Sequence, residues 1–588
     1  MNNIVITGEG IVSAIGLNKE EVLASLREQR SGVGEMRYLR SVHHELPVGE
    51  VKLSNDEMKV LLGIDPSQIM SRTALMSMLA VRQALADARL EQKSGNTRII
   101  LINGTTVGGM DITEDQYHLL REGKGDLSVL RYHDCGSCTE QIADYFGCFD
   151  DCTTISTACS SAANALILGA NLLKAGMADI VVAGGSEALT RFHLNGFNSL
   201  MILDKKQCRP FDAERAGLNL GEGAAFVVME TAEMAQKRGA DIHAYLRGYG
   251  NACDAFHQTA SSDNGEGAFL AMSEALAMAG LQPVDIQYVN AHGTGTPNND
   301  ISESVALQRI FNELMPLVSS TKSFTGHTTS ASGSIETVIC LLALRHQFVP
   351  ANLGWKHQME GGITPTWGLD HAELTNVMCN SFGFGGNDSS LLFSLLPAPD
   401  PKPLDSPAVK NIQVLSKVEI TDKEQLKEIA QYVKPLEARR MGKLMKSSLL
   451  SSLKALEAAG IEKPDAIITA TAYGCLENSE WLLEQMEEEG EVMLKPTYFM
   501  QSTHNTISGN LAIRLGCHGY NVTYTQGVRS LEWALRDAEL LIRSGQCKTV
   551  LVGCHDELTE RFSELMKCAG MNEIPEIQSI AMILSCGD

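Results

Sequence analysis

A long apolar segment between Thr154 and Lys174 is the clearest feature of the hydrophobic pattern. A β-branched run leads into Cys159, and small or apolar residues fill almost every later position of the segment. This pattern predicts a buried strand, a tight turn and a helix that begins at or just after Cys159. Because the helix has no polar face, we expect it to be buried on all sides.

Shorter segments of alternating type fill the rest of the first 396 residues. The pattern predicts strands at 3–8, 98–103, 178–183, 224–230, 241–249, 286–291, 374–380 and 389–396, and helices at 18–29, 69–90, 265–279 and from His327 to about Leu344. Strands and helices that alternate, with short Gly-rich turns between them, indicate an α/β architecture with helices packed on sheets.

A proline-rich stretch divides the chain. Residues 397–407 hold five prolines in eleven positions. Proline fixes φ and cannot donate a ladder hydrogen bond, so we predict an extended linker at 397–410. The predicted domains are therefore 1–396, with halves of about 1–240 and 241–396, and 411–588.

Residues 411–588 resemble a diverged copy of residues 1–230. The strand at 98–103 and its Gly turn correspond to 466–474, and the strand at 178–183 corresponds to 549–553, with spacing preserved to within a few residues. Such preserved spacing is what a duplicated structural unit predicts. Superposing the copies on Gly176 and Gly545 puts Val528 at the position of Cys159.

The helix after Val528 differs in pattern from the helix after Cys159. Apolar residues form one stripe, with charged residues on another; the apolar set is Val528, Leu531, Leu535, Ala538, Leu541 and Ile542, and the charged set is Arg529, Glu532, Arg536, Glu539 and Arg543. An amphipathic helix is covered on one side only. We therefore expect the first helix to lie between two sheets and the second to be covered on one side only.

Composition and charge narrow the possible functions. The 588 residues exceed what a single core supports, and the net charge of −23 argues against nucleic acid or an anionic membrane as the main partner. The 15 cysteines lack the spacing of a disulfide framework, and Cys135 and Cys138 lack a second pair for zinc, so no metal is expected. We find no signal-peptide pattern and no apolar run near the ~20 residues that span a bilayer, which predicts a cytoplasmic protein without membrane insertion.

Cys159 is the first candidate for chemistry. A thiol at the positive end of a helix is expected to favour the thiolate, which is the nucleophilic form. Cysteine is also among the most buried residue types, so a plain packing role is the alternative for this residue taken alone.

Two histidine loops and a glycine loop share the strand-end setting of Cys159. His292 lies in Val289-Asn-Ala-His-Gly-Thr-Gly-Thr-Pro297, followed by Asp300 and Glu303, and Lys322 and His327 lie in Val318-Ser-Ser-Thr-Lys-Ser-Phe-Thr-Gly-His327. A lone histidine is more often structural, but catalytic groups commonly sit on loops of a rigid α/β scaffold. The loop Asn380-Ser-Phe-Gly-Phe-Gly-Gly-Asn387 offers backbone N–H groups for an oxyanion hole.

These motifs, with Thr157-Ala-Cys-Ser-Ser161, make residues 1–396 resemble the β-ketoacyl-acyl-carrier-protein synthases, condensing enzymes of the thiolase superfamily. The resemblance implies a layered αβαβα thiolase-like fold, followed by an extra half-thiolase α/β domain at 411–588. Thiolases have a second cysteine in place of this histidine pair with lysine. The second copy resembles chain-length-factor subunits, which lack the nucleophile and pair with an active ketosynthase.

The family also implies a role for each site residue. Cys159 carries the acyl group as a thioester, and His292 and His327 stabilise the enolate formed when malonyl loses its carboxylate. Lys322, paired with Glu336, orients the site, and Asp300 and Glu303 support it. Phe382, Gly383 and Phe384 form the gate, with the N–H of Phe384 joining that of Cys159 in the oxyanion hole. Val107 shapes the acyl pocket.

The resemblance implies no cofactor, since substrates arrive on the phosphopantetheine of an acyl carrier protein. The expected assembly is a homodimer, or a pseudo-dimer within one chain through 411–588. Carrier proteins are acidic, so Lys205, Lys206 and Arg209 are a candidate docking patch, although a solvated charge run is at least as common an explanation. Two other functions stay open from the sequence: a non-catalytic chain-length factor or scaffold, and a CoA-dependent thiolase. One departure is Asn387-Asp388, where the family usually has Thr-Asn.

Overall fold

The computed structural model describes residues 3–90, 95–399, 411–439, 441–492, 494–571 and 575–587. Most of the expected linker, residues 400–410, lies outside the described residues. The strands are β1 Ile4–Ser13, β2 Ile99–Gly104, β3 Asp151–Ile155, β4 Ile180–Glu187, β5 Gly223–Thr231, β6 Ala244–Cys253, β7 Tyr288–Asn290, β8 Leu317–Ser319, β9 Asn376–Gly383, β10 Asn387–Ser394, β11 Ile412–Ile420, β12 Ala466–Ala470, β13 Asn521–Tyr524, β14 Thr549–Glu557 and β15 Ile577–Cys586.

The helices alternate with these strands. They are α1 Lys19–Arg27, α2 Asn55–Leu62, α3 Arg72–Asp87, α4 Met110–Arg121, α5 Cys135–Phe146, α6 Ser161–Lys174, α7 Arg191–Ser199, α8 Ala232–Arg238, α9 Glu266–Ala279, α10 Pro297–Phe311, α11 Lys322–Thr325, α12 Ser332–His346, α13 Pro435–Ala438, α14 Lys443–Ala459, α15 Leu476–Glu489, α16 Pro496–Met500, α17 Thr506–Leu515, α18 Ser530–Ser544 and α19 Glu560–Cys568. No described helix combines the length and the apolar character needed to cross a bilayer.

The strand order repeats. Within the continuous 15-stranded sheet the order β3-β2-β4-β5-β1 recurs as β13-β12-β14-β15-β11, and the two runs meet at β3 and β13. Strands β6-β10-β9-β7-β8 continue beyond β1. The first two runs therefore mirror each other about the β3–β13 junction, as two subunits do in a symmetric dimer.

Residues 1–396 form the layered α/β fold expected from the sequence. Helices α6 and α12 contact each other and lie between the two sheet halves, with α6 against β2 and β4 and α12 against β9 and β5. Helix α3 covers the outer face of β1 and β5, and α9 covers β6 and β10. The prediction that the helix after Cys159 is buried all round is confirmed, since every residue from Ser161 to Leu173 is buried.

Helix α18 of the second copy is half covered, as predicted, but part of the predicted apolar stripe is wrong. Its buried face centres on Trp533 and Asp537, whereas Val528, before its first turn, is 95% exposed. Arg536 from the charged stripe packs over the Trp533 ring at 4.3 Å. Trp533 and Asp537 carry polar atoms, which the apolar pattern did not count as core positions.

The two copies join through backbone and side-chain contacts within one chain. Tyr524 of β13 pairs antiparallel with Ile155 of β3. The N–H of Ser156 donates to the Thr523 carbonyl at 2.9 Å, and the N–H of Thr525 donates to the Thr154 carbonyl at 3.0 Å. The junction lies immediately before the Cys159 turn. The second copy therefore pairs with β3, the strand that leads into this cysteine.

Candidate active site

Cys159 sits in a short 3-10 turn, Ala158–Ser160, between β3 and α6. Ala158 has a φ of 53°, which lets the chain reverse sharply and aim the next side chain at the interior. The N–H of Thr157 donates to Ser161 Oγ at 2.9 Å, and Ser161 Oγ donates to the Ala158 carbonyl at 2.7 Å. The cysteine is 5% exposed, so the turn holds a buried thiol in one place.

His327 is the direct neighbour of the thiol. Its Nε2 lies 3.1 Å from Cys159 Sγ, and its Nδ1 lies 3.0 Å from Ser332 Oγ at the start of α12. The hydroxyl of Ser332 can donate to Nδ1, and we assign the remaining proton to Nε2 on that basis. The ring therefore presents an N–H towards the sulfur and the cavity.

His292 lies on the loop after β7, and two carboxylates of α10 shape this loop. Glu303 accepts from the N–H groups of His292 and Gly293 at 2.8 and 2.7 Å, and Asp300 accepts from the N–H of Gly295 at 3.1 Å. The rings of His292 and His327 meet edge to face with centroids 5.2 Å apart. The acidic pair thus positions the loop and does not reach the reacting atoms.

Lys322 and Glu336 form a buried ion pair beside the histidines. Nζ lies 2.6 Å from Glu336 Oε1, and both side chains are at most 2% exposed. Burial, with the Lys322 charge second, lowers the pKa of His292 and of His327 well below the usual value. Both histidines are therefore neutral at pH 7 and can donate one N–H each.

The thiol is protonated at rest, which corrects the expectation drawn from the helix end. Burial raises the pKa of Cys159 to about 12, although the Lys322 charge and the N–H groups of Phe384 and Cys159 act in the opposite direction. Desolvation of a buried thiolate outweighs a helix end that supplies about half a charge. The N–H groups of Phe384 and Cys159 nevertheless lie against the sulfur, next to the place that the carbonyl oxygen of an acyl group on this sulfur would occupy.

The loop from Phe382 to Gly386 closes one wall of the site and is held by the second copy. The Phe384 ring stacks on Phe197 with centroids 5.6 Å apart, and the Phe384 carbonyl accepts from Asn505 Nδ2 at 2.8 Å. Gly385 packs against Gly509, where an added Cβ would lie 2.9 Å from the Gly385 carbonyl oxygen. No side chain fits between these two backbones.

The departure at Asn387 and Asp388 gives a different set of contacts around the Cys159 turn. The side-chain oxygen of Asn387 accepts from Ser160 Oγ at 2.7 Å and from Asn164 Nδ2 at 2.8 Å, and its amide donates to the Asn521 carbonyl of β13. Burial, with the Asp254 charge second, raises the pKa of Asp388 well above the usual value. Asn387 therefore links β10, the Cys159 turn and β13 of the second copy.

A cavity of about 380 Å³ leads to these residues. Cys159, His292 and His327 lie in its wall with Phe382, Gly383 and Phe384, and the 88% exposed side chain of Met201 is at its rim. The sulfur and one ring nitrogen from each histidine lie within 4.8 Å of one another, close enough for a metal. The adjacent Lys322 charge opposes a cation there, and burial keeps the thiol protonated.

The other predicted residues lie outside this cluster. Val107 lines a separate small cavity between the two copies. Lys205 and Lys206 are exposed, and they follow Ile202, which lines the main cavity. Arg209 is a poor docking residue because its Nη1 lies 3.3 Å from Glu214 and 3.8 Å from Asp212.

Sequence reasoning missed several residues that complete the site. Ser332 orients His327, Asn505 holds the gate carbonyl, and Phe197 stacks on the gate ring. Asn505 belongs to Gln501-Ser-Thr-His-Asn-Thr-Ile-Ser-Gly-Asn510, a stretch of the second copy that resembles the dimer-contact pattern of the β-ketoacyl synthases. That stretch was the available signal for a contact with the gate.

Comparison with known families matches most of the chain. The model described as "Beta-ketoacyl synthase, N-terminal domain" matches residues 1–235 and 394–571, and "Beta-ketoacyl synthase, C-terminal domain" matches residues 243–356. The repeat predicted from the sequence is thereby confirmed.

Two bacterial relatives are each similar to about two-thirds of the chain. The 3-oxoacyl-[acyl-carrier-protein] synthase 2 of Vibrio cholerae is 34% identical over 416 residues, covering 66% of this chain and 98% of the relative. The 3-oxoacyl-[acyl-carrier-protein] synthase 1 of Escherichia coli K12 is 35% identical over 416 residues, covering 67% and 100%.

Two solved structures are similar to this chain, and one of them covers its full length. The ishigamide ketosynthase/chain length factor is 30% identical with a TM-score of 0.63, covering 67% of this chain and 99% of that one. A structure titled "PfaC Keto synthase-Chain length factor" is 16% identical with a TM-score of 0.82, covering 100% of this chain and 78% of that one. At that identity the second match shows the fold alone, but it does so for the whole chain.

Proposed function

The chain belongs to the β-ketoacyl synthase family, and on that premise we propose that it extends an acyl group held on Cys159 by two carbons from malonyl-acyl carrier protein. One observation carries the proposal. A thiol and two neutral histidines lie within 4.8 Å of one another in the wall of a cavity of about 380 Å³. The substrates bring their own phosphopantetheine, and the enzyme needs no metal or further cofactor.

In the first step the acyl group moves from the carrier to the enzyme. A C–S bond forms between the acyl carbon and Cys159 Sγ, the bond to the pantetheine sulfur breaks, and the thiol proton leaves with that sulfur. The N–H groups of Cys159 and Phe384 stabilise the oxyanion of the tetrahedral intermediate, and one such donor contributes about 10²–10³ in rate in other enzymes.

In the second step malonyl loses carbon dioxide and the electron pair stays on an enolate. The enolate oxygen accepts hydrogen bonds from His292 and His327, whose neutral rings supply N–H groups without a mobile proton. The enolate carbon attacks the acyl thioester and forms the new C–C bond, the C–S bond to Cys159 breaks, and the departing thiolate takes up a proton from water.

Residues 411–588 take the structural place of a partner subunit in this proposal. Asn505 and Gly509 support the gate loop, and β13 supports the strand that delivers Cys159. The second copy has Val528 in the position of the nucleophile, so it contributes no second reaction centre. A fused inactive copy favours a type II-like polyketide or related specialised pathway over housekeeping fatty-acid synthesis.

A carrier-protein assay tests the reaction. The protein is incubated with acyl and malonyl carrier proteins, and mass spectrometry follows acyl on Cys159 while released carbon dioxide is measured. We expect acyl on Cys159 and loss of carbon dioxide, and Cys159→Ala removes the label. His292→Ala and His327→Ala keep the label and lose decarboxylation. No label from any carrier-bound donor would refute the proposal, and decarboxylation that survives in both histidine variants would refute the histidine roles.

A further inference from the structure

Asp388 stands where the family usually has Asn, one residue after the Asn387 that contacts the Cys159 turn. It is the second residue of β10 and pairs in register with Phe382 of β9, the first residue of the gate. Its side chain is 6% exposed, and it lies in the wall of the cavity that leads to Cys159. A carboxyl group buried at this position is unusual, because burial disfavours its charged form.

Asp388 meets a second buried carboxyl group, that of Asp254. An added Cβ at Gly267, on α9, would lie 2.2 Å from Asp388 Oδ2 and 2.8 Å from Asp254 Cβ. The two side chains therefore come together at the space that this glycine leaves open. Both residues line the cavity at Cys159, and Asp254 is itself 4% exposed. The two carboxyl groups thus share a site that is nearly closed to water.

Hydrogen bonds assign the negative charge to Asp254. Its carboxylate accepts from the N–H and the Oγ–H of Ser262 at 2.7 and 2.6 Å, and from the N–H of Gly267 at 2.9 Å. Three donors favour an ionised carboxyl group. Asp388 has weaker support, because the N–H of Gly383 is what favours its charged form. Asp388 is therefore the member of the pair that keeps a proton.

The surroundings of Asp388 also favour the protonated form. Burial, with the Asp254 charge second, raises the pKa of Asp388 well above its usual value, and the Glu303 charge acts in the same direction. Burial raises the pKa of Glu303 itself to about 7. The other titratable groups on the elements around Asp388 are Cys253, His257, Glu266, Glu274, His292 and Asp300. Within the described residues we find no ion pair of Asp388 that would offset the repulsion between carboxylates.

The carboxyl pair lies where two loops of the cavity wall are joined. The facing loop, residues 254–262, runs opposite the gate loop. The N–H of Asp254 donates to the Gly386 carbonyl, and the N–H of Gly385 donates to the Gln258 carbonyl, both at 2.7 Å. A change of charge in the carboxyl pair therefore acts on the joint between the gate loop and the facing loop.

We propose that Asp388 is a positioning residue whose proton, shared with Asp254, holds the gate loop against the facing loop. The inference rests on the proposed condensing function and adds a residue that controls the geometry of its gate. Neutral Asp388 accepts from the Gly383 N–H and donates its O–H to the Asp254 carboxylate. Loss of this proton leaves two adjacent carboxylates, and their repulsion separates the loops. Because the Phe384 N–H belongs to the gate loop, the separation displaces a donor of the oxyanion hole.

The pH profile of condensation tests the inference. With carrier-bound substrates, kcat/KM is measured from about pH 6 to about pH 10, above the usual value for a carboxyl group. Each profile is divided by its own value at pH 7. Because its pKa is raised, Asp388 holds its proton at neutral pH and loses it as the pH rises. We expect kcat/KM to fall by about tenfold or more in the wild type, and by about threefold or less in Asp388→Asn, which donates a hydrogen bond but does not ionise.

Two further variants separate positioning from a structural role. Asp388→Leu can neither donate nor accept, so we expect its kcat/KM to lie about tenfold below that of Asp388→Asn at every pH. Asp263→Asn removes an exposed carboxylate one residue beyond the facing loop and should keep the wild-type profile. Glu303 is present in every variant, so its own ionisation cancels in the comparison. Equal normalised profiles for the wild type and Asp388→Asn would overturn the inference.

Infrared spectroscopy detects the proton without any reaction. A protonated carboxyl group has a C=O stretch that a carboxylate lacks. The difference spectrum of the wild type and Asp388→Asn at pH 7 should contain this band, and the band should disappear as the pH rises. An absent band would overturn the inference whatever the activity. A band without acyl label on Cys159 from any carrier-bound donor would instead refute the condensing function.

Discussion

The unit that carries Cys159, residues 151–174, and its counterpart at 521–544 have the same local backbone. Each runs from a strand through a 3-10 turn into a helix, with a φ of 53° at Ala158 and 52° at Gly527. Each turn is fixed by a serine: Ser161 Oγ and Ser530 Oγ accept from a backbone N–H at 2.9 and 2.7 Å. Cys159 is 5% exposed, whereas Val528 is 95% exposed.

The difference lies in what covers each turn. In the first copy α12 and strands β6 to β10 close over Cys159 and bring the two histidines and Lys322. In the described part of the second copy, β11 to β15 and their helices leave Val528 facing solvent. The strand–turn–helix unit is therefore a scaffold that makes no active site by itself. On the proposed function, reactivity depends on the half that covers this unit, and in the first copy also on the neighbouring copy.

The largest expected effect comes from removing the second copy. A chain that ends after Pro399 loses the strand paired with β3 and the Asn505 and Gly509 contacts to the gate. We expect condensation to fall by about 100-fold or more, because misplacement of a reacting group by about 1 Å has an effect of that order. Activity, thermal unfolding and product length are compared with the full chain.

Co-expression of residues 411–588 as a separate chain is the control. It should restore part of the activity, since the contacts between the copies are non-covalent. Equal activity, stability and product length in the truncated and full chains would contradict a supporting role for the second copy.

Several parts of this arrangement follow from the sequence because local patterns encode them. The all-round burial of α6, the half-covered α18 and the duplication are visible in the spacing of apolar residues. The motif loops with Cys159, His292 and His327 are recognisable because the family keeps their order. The contact of Asn505 with Phe384 joins residues 121 apart, and that of Ser156 with His504 joins residues 348 apart. The spacing of apolar residues along the chain does not indicate contacts between residues so far apart in sequence.

The protonation state of the Cys159 thiol could not be predicted from the sequence either. The helix end near Cys159 is readable from the pattern and favours a thiolate, but its effect is smaller than that of complete burial. Burial depends on the covering half and on the second copy. The sequence does not show how tightly they close.

The second prediction removes the thiol from the first turn and introduces one at the matching position of the second turn. Cys159→Ala should abolish acylation, and Val528→Cys should not gain it, because no histidine pair or oxyanion hole faces that position. The second substitution is expected to change the free energy of unfolding by less than about 0.5 kcal/mol, as for other exposed sites. Peptide mapping after incubation with the acyl donor locates the label. Acyl on the thiol introduced by Val528→Cys would show that the turn alone suffices.

The rate of alkylation by iodoacetamide gives a second comparison of Cys159 with the cysteine introduced by Val528→Cys. A thiol reacts as its thiolate, so the rate at Cys159 should keep rising with pH towards its pKa of about 12. The rate at the exposed cysteine of the Val528→Cys variant should level off above about pH 8.5, the usual value for a free thiol. A plateau below about pH 9 at Cys159 would contradict the protonated resting thiol.

The third prediction concerns the contact between Gly509 and the gate. Gly509→Ala places a methyl group about 2.9 Å from the Gly385 carbonyl oxygen, and neither backbone can move aside cheaply. We expect the gate loop to shift and kcat/KM for condensation to fall by about tenfold or more, in line with the cost of misplaced catalytic groups. Gly34→Ala is the matched control, since an added Cβ there meets nothing within 4 Å. Equal kinetics in both variants would show that the second copy does not position the gate loop.

The smallest expected effect concerns the charged face of α18 near the junction. Arg529 and Arg536 both pair with Asp151 of β3, the latter at 3.1 Å, and all three side chains are partly exposed. Because exposed ion pairs contribute about 0–1 kcal/mol and are screened by salt, Asp151→Asn should lower the thermal midpoint slightly at low salt and hardly at all at high salt. Glu539→Gln removes a charge from the solvent side of the same helix and is the control, since Glu539 pairs only with Arg543 at 3.8 Å among the described residues. A loss in Asp151→Asn that persists at high salt would contradict this expectation, because it would mean that the carboxylate holds the two copies together through hydrogen bonds and packing and not through screened charge alone.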